Sequence, residues 1–137
     1  MKVQDCIFFQ MIKASKAAAE FWAHQVEHLG ITASQAMVLN FLSEEDCIPS
    51  HLLGQKLQIT SATTTGILDR LEKMNLIERR PHPEDRRAIL VCLTRQGGKN
   101  AREINKIMVE ANREFLGRYN SADTEIFRDL LRRVNAE

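Results

Sequence analysis

Apolar residues recur at helical spacing over most of this chain, and the pattern changes period in one place. From about Asp5 to Leu29, Phe8, Met11, Ile12, Ala18, Trp22, Val26 and Leu29 predict a first helix, which Gly30 ends. Thr32 can cap a second helix carrying Ala36, Val38, Leu39, Phe41 and Leu42. After the acidic turn SEEDC, Pro49 suits the first turn of a short third helix ending near Leu57. Thr60 is the candidate N-cap of a fourth helix over Ser61–Met74, and Asn75 is its left-handed stop. The period then falls to two. LIERR and AILVCL read as the strands of a hairpin around a charged, proline-bounded tip from Pro81 to Arg87. Thr94 can cap a long helix with Ile104, Ile107, Met108, Ala111, Phe115 and Leu116 at its apolar positions. NSAD breaks it, and a last helix carries Ile126, Phe127, Leu130, Leu131 and Val134.

This order predicts a mainly α fold with a small β-hairpin wing, a winged helix-turn-helix flanked by N- and C-terminal helices. A single domain is expected over residues 1–137, with the winged core at 33–94 and flanking helices at 1–30 and 95–137. On the fourth helix, a wheel placed on Ile67 groups Ile67, Leu71 and Met74 as the buried stripe, with Leu68 on its flank and Thr63 and Thr64 at its borders. Ala62, Thr65, Gly66, Asp69 and Lys73 face the other way.

Charge sharpens the picture where overall composition does not. The net charge is only +1, yet residues 70–102 hold nine Lys/Arg against four Asp/Glu, a local +5. Residues 1–69 carry −3 and residues 103–137 carry −1. A basic segment between acidic ones marks a polyanion-binding face. No segment has the apolar length to span a bilayer, and the N-terminal stretch reads as a mature helix and not a signal peptide, so no membrane partner and a cytoplasmic address are expected. Cys6, Cys47 and Cys92 are odd in number and widely spaced, and read as small packing residues in a reducing compartment. RQGGKN lacks the glycine spacing and the Ser/Thr of a phosphate loop, and no catalytic constellation stands out, so an enzyme and a cofactor are not expected.

The stretch DRLEKMNLIERRPHPEDRRAILVCLT carries L-D-R-L-E, then L-I-E-R, then D-R-R-A and V-x-L-T. With the preceding ITASQAMVLNFL and LLGQKLQITSATTTGI, it resembles the MarR family of bacterial winged-helix transcription regulators over about half the chain. The resemblance implies a sequence-specific regulator of double-stranded DNA, in the repressor mode, acting as a homodimer on a near-palindromic site. The terminal helices would interleave with a second copy, and a small aromatic or amphipathic effector would release the duplex. A winged helix used only for protein contacts, and a redox- or metal-responsive member of the same family, are the alternative readings. Three positions depart from the family pattern. Gly66 stands where a larger, often basic residue is common, and Gln58 and Asn75 replace turn glycines.

Helix-turn-helix geometry assigns base and phosphate contacts to Ser61, Ala62, Thr63 and Thr65 at the start of the fourth helix. Arg70 can hold a phosphate or pair with a carboxylate. Arg79, Arg80, His82 and Arg86 supply the positive character of the wing, and the resemblance places Arg87 in the minor groove. It also implies that Asp69 or Asp85 braces the wing through an arginine. Phe8, Met11, Phe21 and Trp22 are candidate effector-pocket residues. His24 and His28, four apart on one helical face, are weak candidates for a metal, and Cys6 is a weak candidate for redox sensing.

Overall fold

Helix caps set out the chain. The computed structural model describes residues 1–136. After a short 3-10 turn at Val3–Asp5, α1 runs Ile7–Val26, and a second 3-10 turn at Glu27–Leu29 ends at Gly30 in the left-handed region. Thr32 caps α2 (Ala33–Glu44) in a reciprocal box, its hydroxyl accepting the Gln35 N–H while the Gln35 side chain accepts the Thr32 N–H. α3 spans Ser50–Leu57 and α4 spans Ser61–Lys73, with Thr60 as N-cap. β2 (Ile77–Pro81) and β3 (Ile89–Leu93) form the wing. α5 (Arg95–Leu116) and α6 (Ser121–Val134) complete the chain, α6 capped by the Asn120 side chain on Asp123 N–H.

Both predicted left-handed corners exist without glycine. Gln58 sits at φ 53° between α3 and α4, and Asn75 at φ 56° after α4. Asparagine adopts that region readily and glutamine less so, which makes the α3–α4 corner the strained one.

The sheet differs from the expected hairpin. It has three strands in the order β1–β3–β2, because Ile48–Pro49 forms a short β1 antiparallel to β3. Ile48 faces Val91, and Ile77 faces Leu93 across the other edge. Pro49 therefore precedes the helix instead of opening its first turn, and it serves as the N-cap residue of α3.

The same register corrects the reading of two cysteines. Extending the Ile48–Val91 pairing by one residue sets Cys47 opposite Cys92, and the two form a disulfide across 45 residues of chain. Sequence spacing cannot show this, since the pairing depends on β1 adding to the wing. Cys6 is free.

Two compact units make up the chain, Met1–Ile107 and Met108–Glu137. The first has a continuous apolar core drawn from α1 to α4, the sheet and the first half of α5: Val26, Leu39, Leu53, Leu68, Ile77, Val91 and Ile104 are each at most 1% exposed. Trp22 packs on this core and donates its indole N–H to the Ala33 carbonyl at 3.2 Å. The buried stripe of α4 is rotated from the expected one. Thr64, Leu68 and Leu71 are buried, whereas Ile67 is half-buried and Met74 is 40% exposed. Thr64 can go inside because its hydroxyl donates to the Thr60 carbonyl at 3.0 Å. It lies against Gly54 of α3, where an added Cβ would come within 2.8 Å of the Thr64 hydroxyl, so a larger residue there would have to push the corner or the Thr64 side chain aside. In the second unit, α6 leaves Ile126, Phe127, Leu130, Leu131 and Val134 exposed.

Candidate nucleic-acid interface

The start of α4 is built from its own hydroxyls. Thr60 Oγ1 accepts the Thr63 N–H at 3.2 Å and shares a 2.9 Å hydrogen bond with the Thr63 hydroxyl. Thr65 donates its hydroxyl to the Ser61 carbonyl at 2.9 Å and keeps its acceptor lone pairs. Ser61, Ala62, Thr63, Thr65 and Gly66 are all exposed. A Cβ at Gly66 would meet nothing within 4 Å, so the helix offers a flat patch there. Small side chains at a helix N-terminus, beside unpaired backbone N–H groups, suit an anionic, closely approaching surface.

The wing is tied to α4 by one arginine. Arg79 on β2 donates from Nη2 to Asp69 Oδ1 and from Nη1 to Glu72 Oε2, both at 2.7 Å. Partial burial pulls its guanidinium pKa down, but the hydrogen bonds and charges of Asp69 and Glu72 outweigh this and raise it above the ordinary arginine value. With both ends held by carboxylates, Arg79 braces the wing and has no free fork for a phosphate. Glu72 is a partner beyond those expected, although it stands three residues after Asp69 on the same helical face. Arg80 pairs with Glu78 on its own strand.

The wing tip is held by its backbone. The His82 N–H donates to the Ala88 carbonyl at 3.2 Å, and the Ala88 N–H to the Asp85 carbonyl at 3.1 Å. His82 Nδ1 accepts the N–H groups of both Glu84 and Asp85 at 3.1 Å. Through these two bonds the His82 ring shapes the turn that carries Arg86 and Arg87. Asp85 departs from its expected role as partner of an arginine side chain: its Oδ1 accepts the Arg87 backbone N–H at 2.9 Å. These contacts fix the direction in which Arg86 and Arg87 leave the backbone. Both side chains are exposed, and among the described residues Arg70, Arg86 and Arg87 reach no carboxylate within ion-pair distance.

Between these parts lies an open groove of about 510 Å³. Ser61, Thr65 and Arg79 line it, joined by Ser50, His51 and Gln55 of α3, which the sequence pattern does not single out. Their signal is nonetheless present, since α3 is the first helix of the helix-turn-helix and crosses the same face.

The remaining candidates lie elsewhere. Phe8 is 73% exposed on α1, Met11 is also exposed, and Phe21 and Trp22 are half-buried. His24 pairs with Glu27 at 3.6 Å, and His28 is exposed. The one group of three potential metal-ligating residues among the described residues is Asp46, Cys47 and Cys92, which includes neither histidine. Cys6 precedes α1 as its N-cap residue.

A helix-turn-helix whose second helix presents small side chains, joined to a braced wing tipped by exposed arginines, defines a winged-helix DNA-binding protein. Residues 31–89 match the model of the MarR family. The organic hydroperoxide resistance transcriptional regulator of Bacillus subtilis (strain 168) is 30% identical over 97 residues, covering 71% of this chain and 66% of the relative. Transcriptional regulator HosA of Escherichia coli O111:H- is 28% identical and covers 98% of both chains. The crystal structure of a probable transcriptional regulator from Pseudomonas aeruginosa superposes with a TM-score of 0.89 at 30% identity, covering 97% of this chain and 99% of that one. The chain belongs to the MarR family of transcriptional regulators.

Proposed function

We propose that the protein binds an inverted-repeat DNA site as a homodimer and regulates transcription, without catalysing a reaction, in the cytoplasm. The observation that carries this reading is the pair of exposed arginines, Arg86 and Arg87, that meet no carboxylate among the described residues, on a hydrogen-bonded wing tip beside the exposed start of α4. α4 enters the major groove, where Ser61, Ala62 and Thr65 meet base edges and Thr63 and Arg70 meet phosphates. The wing lays Arg86 and Arg87 along the adjacent minor groove, whose negative potential attracts guanidinium groups.

The exposed apolar residues support the dimer. Ile7, Phe8, Phe9, Met11 and Ile12 on α1, and Ile126, Phe127, Leu130, Leu131 and Val134 on α6, are large side chains that a monomer would leave in water. A second copy covers both faces in this reading. Phe8, Met11, Phe21 and Trp22 would then line a space completed by the partner, where a small aromatic or amphipathic effector binds. No helix of the described residues is long and apolar enough to cross a membrane.

Salt titration tests the reading. The logarithm of the duplex association constant is expected to fall linearly with the logarithm of salt concentration, by about 0.9 per phosphate neutralised. A flat response would show that the winged face does not serve DNA and would favour a protein-contact role.

A further inference from the structure

Cys47 and Cys92 are bonded to each other, a redox-active pair that the DNA-binding reading does not use. They stand where the two halves of the interface meet. Cys47 lies in the turn between α2 and β1, and Ser50, the first residue of α3, follows three residues later. Cys92 lies within β3, whose outer end at Ile89 closes the wing that carries Arg86 and Arg87. The bond between them therefore ties the helix-turn-helix to the wing on the β3 side, as Arg79 does from β2 to α4 on the other. Without the bond, the turn keeps a polar anchor, because Asp46 Oδ1 accepts both the Cys47 N–H and the Leu93 N–H at 2.8 Å. Against that anchor, Cys47 holds a left-handed backbone at φ 54°, which a non-glycine residue leaves readily when nothing restrains it. The two sulfurs also differ in access. Cys92 is 1% exposed and Cys47 is half-buried, so a reagent from solvent meets Cys47 first.

We propose that Cys47 and Cys92 form a reversible thiol–disulfide site whose substrate is a small-molecule disulfide, and that closing the bond raises duplex affinity by fixing the wing to the helix-turn-helix. In the oxidising direction the Cys47 thiolate attacks one sulfur of R–S–S–R. A Cys47–S–S–R bond forms, and R–S⁻ leaves and takes a proton. Cys92, having given its proton to water, attacks Cys47 Sγ, and the second R–S⁻ leaves and is protonated in turn. The protein dithiol loses two electrons and two protons, and R–S–S–R becomes two R–SH. Excess R–SH reverses both exchanges. The affinity part of this proposal rests on the DNA-binding reading; the thiol chemistry does not.

The test uses the full chain with Cys6→Ser, so that the free cysteine cannot form bonds between chains. The protein is equilibrated in chelator-treated buffers of graded oxidised to reduced glutathione, alkylated for mass spectrometry, and titrated in parallel with a duplex enriched from a random-sequence pool. The expected result is a reversible loss of two hydrogens without added glutathione mass, with the oxidised form binding about fivefold more tightly than the reduced one. Cys92→Ser is expected to stop at a glutathione adduct on Cys47. Should that change disturb β3, Cys47→Ser removes the attacking sulfur from the turn, and its affinity is expected to stay at the reduced value in every buffer. Two alkylatable thiols across the whole series, or a disulfide that forms without changing affinity, would overturn the proposal. A disulfide that forms in a protein binding no duplex in either state overturns the coupling and the DNA-binding reading together, while the thiol chemistry stands.

Discussion

Replacing Arg86 and Arg87 together by alanine is expected to weaken duplex binding by about 2 kcal/mol or more while the fold stays intact. Both side chains are exposed and pair with no carboxylate among the described residues, so their removal breaks no ion pair of the free protein. The turn beneath them depends on other groups: the His82 ring, the Asp85 carboxylate and the backbone bonds between His82, Asp85 and Ala88. The whole effect should therefore fall on binding. It should also flatten the salt dependence by about 0.9 for each phosphate that is no longer neutralised. Fluorescence anisotropy on a labelled duplex reads the affinity, and thermal melting by circular dichroism checks the fold. Equal affinities for the variant and the wild type would remove the wing from the interface.

The second large effect is on stability. Gly97→Ala is expected to destabilise the protein by about 3 kcal/mol or more, beyond the usual cost of overpacking, because its Cβ would lie 1.8 Å from the Leu76 carbonyl oxygen. That oxygen cannot easily move. It accepts the Thr94 N–H at 3.1 Å, and the Thr94 hydroxyl donates to the Asn75 carbonyl at 2.7 Å while accepting the Gly97 N–H at 2.9 Å. The start of α5 is thus fastened to the end of α4 at the root of the wing, and a methyl group there must force the two apart. Gly66→Ala is the contrasting control, since its Cβ would meet nothing within 4 Å. It is expected to stabilise α4 by about 1 kcal/mol through helix propensity alone. Denaturant unfolding of the two variants measures both, and a Gly97→Ala protein as stable as the wild type would contradict the close approach.

What can be read from the sequence is local. Thr32, Thr60 and Thr94 cap the helices expected of them, and Asn75 takes the left-handed stop, because each depends on residues within a few positions. The winged helix follows from their order. What the sequence does not disclose depends on pairing across long stretches. β1 is two residues long, too short for any periodicity, and it becomes a strand only by adding to β3. The disulfide follows from that addition and is hidden with it. The face of α4 differs from the expected one by a small rotation, because a wheel weighs Thr64 as a polar border residue. Its hydroxyl is satisfied within the helix, and this lets it face Gly54 at the corner.

The candidate site divides the same way. Charge density along the chain locates the wing, yet charge alone does not separate arginines that brace from arginines that are free. Arg79 faces two carboxylates that helical spacing brings together and Arg80 meets its strand neighbour Glu78, whereas Arg86 and Arg87 at the tip pair with no carboxylate among the described residues. His82 groups with the tip arginines in the sequence, and its hold on the turn, an Nδ1 that accepts two backbone N–H groups, shows only in the folded hairpin.

Selection of bound duplexes from a random-sequence pool tests the central claim most directly, because it reads DNA binding, symmetry and spacing in one measurement. The predicted result is an inverted repeat with half-site centres about one helical turn, roughly 10 base pairs, apart, occupied by two chains per duplex. Recovery of no common sequence, or of isolated half-sites bound by single chains, would contradict it.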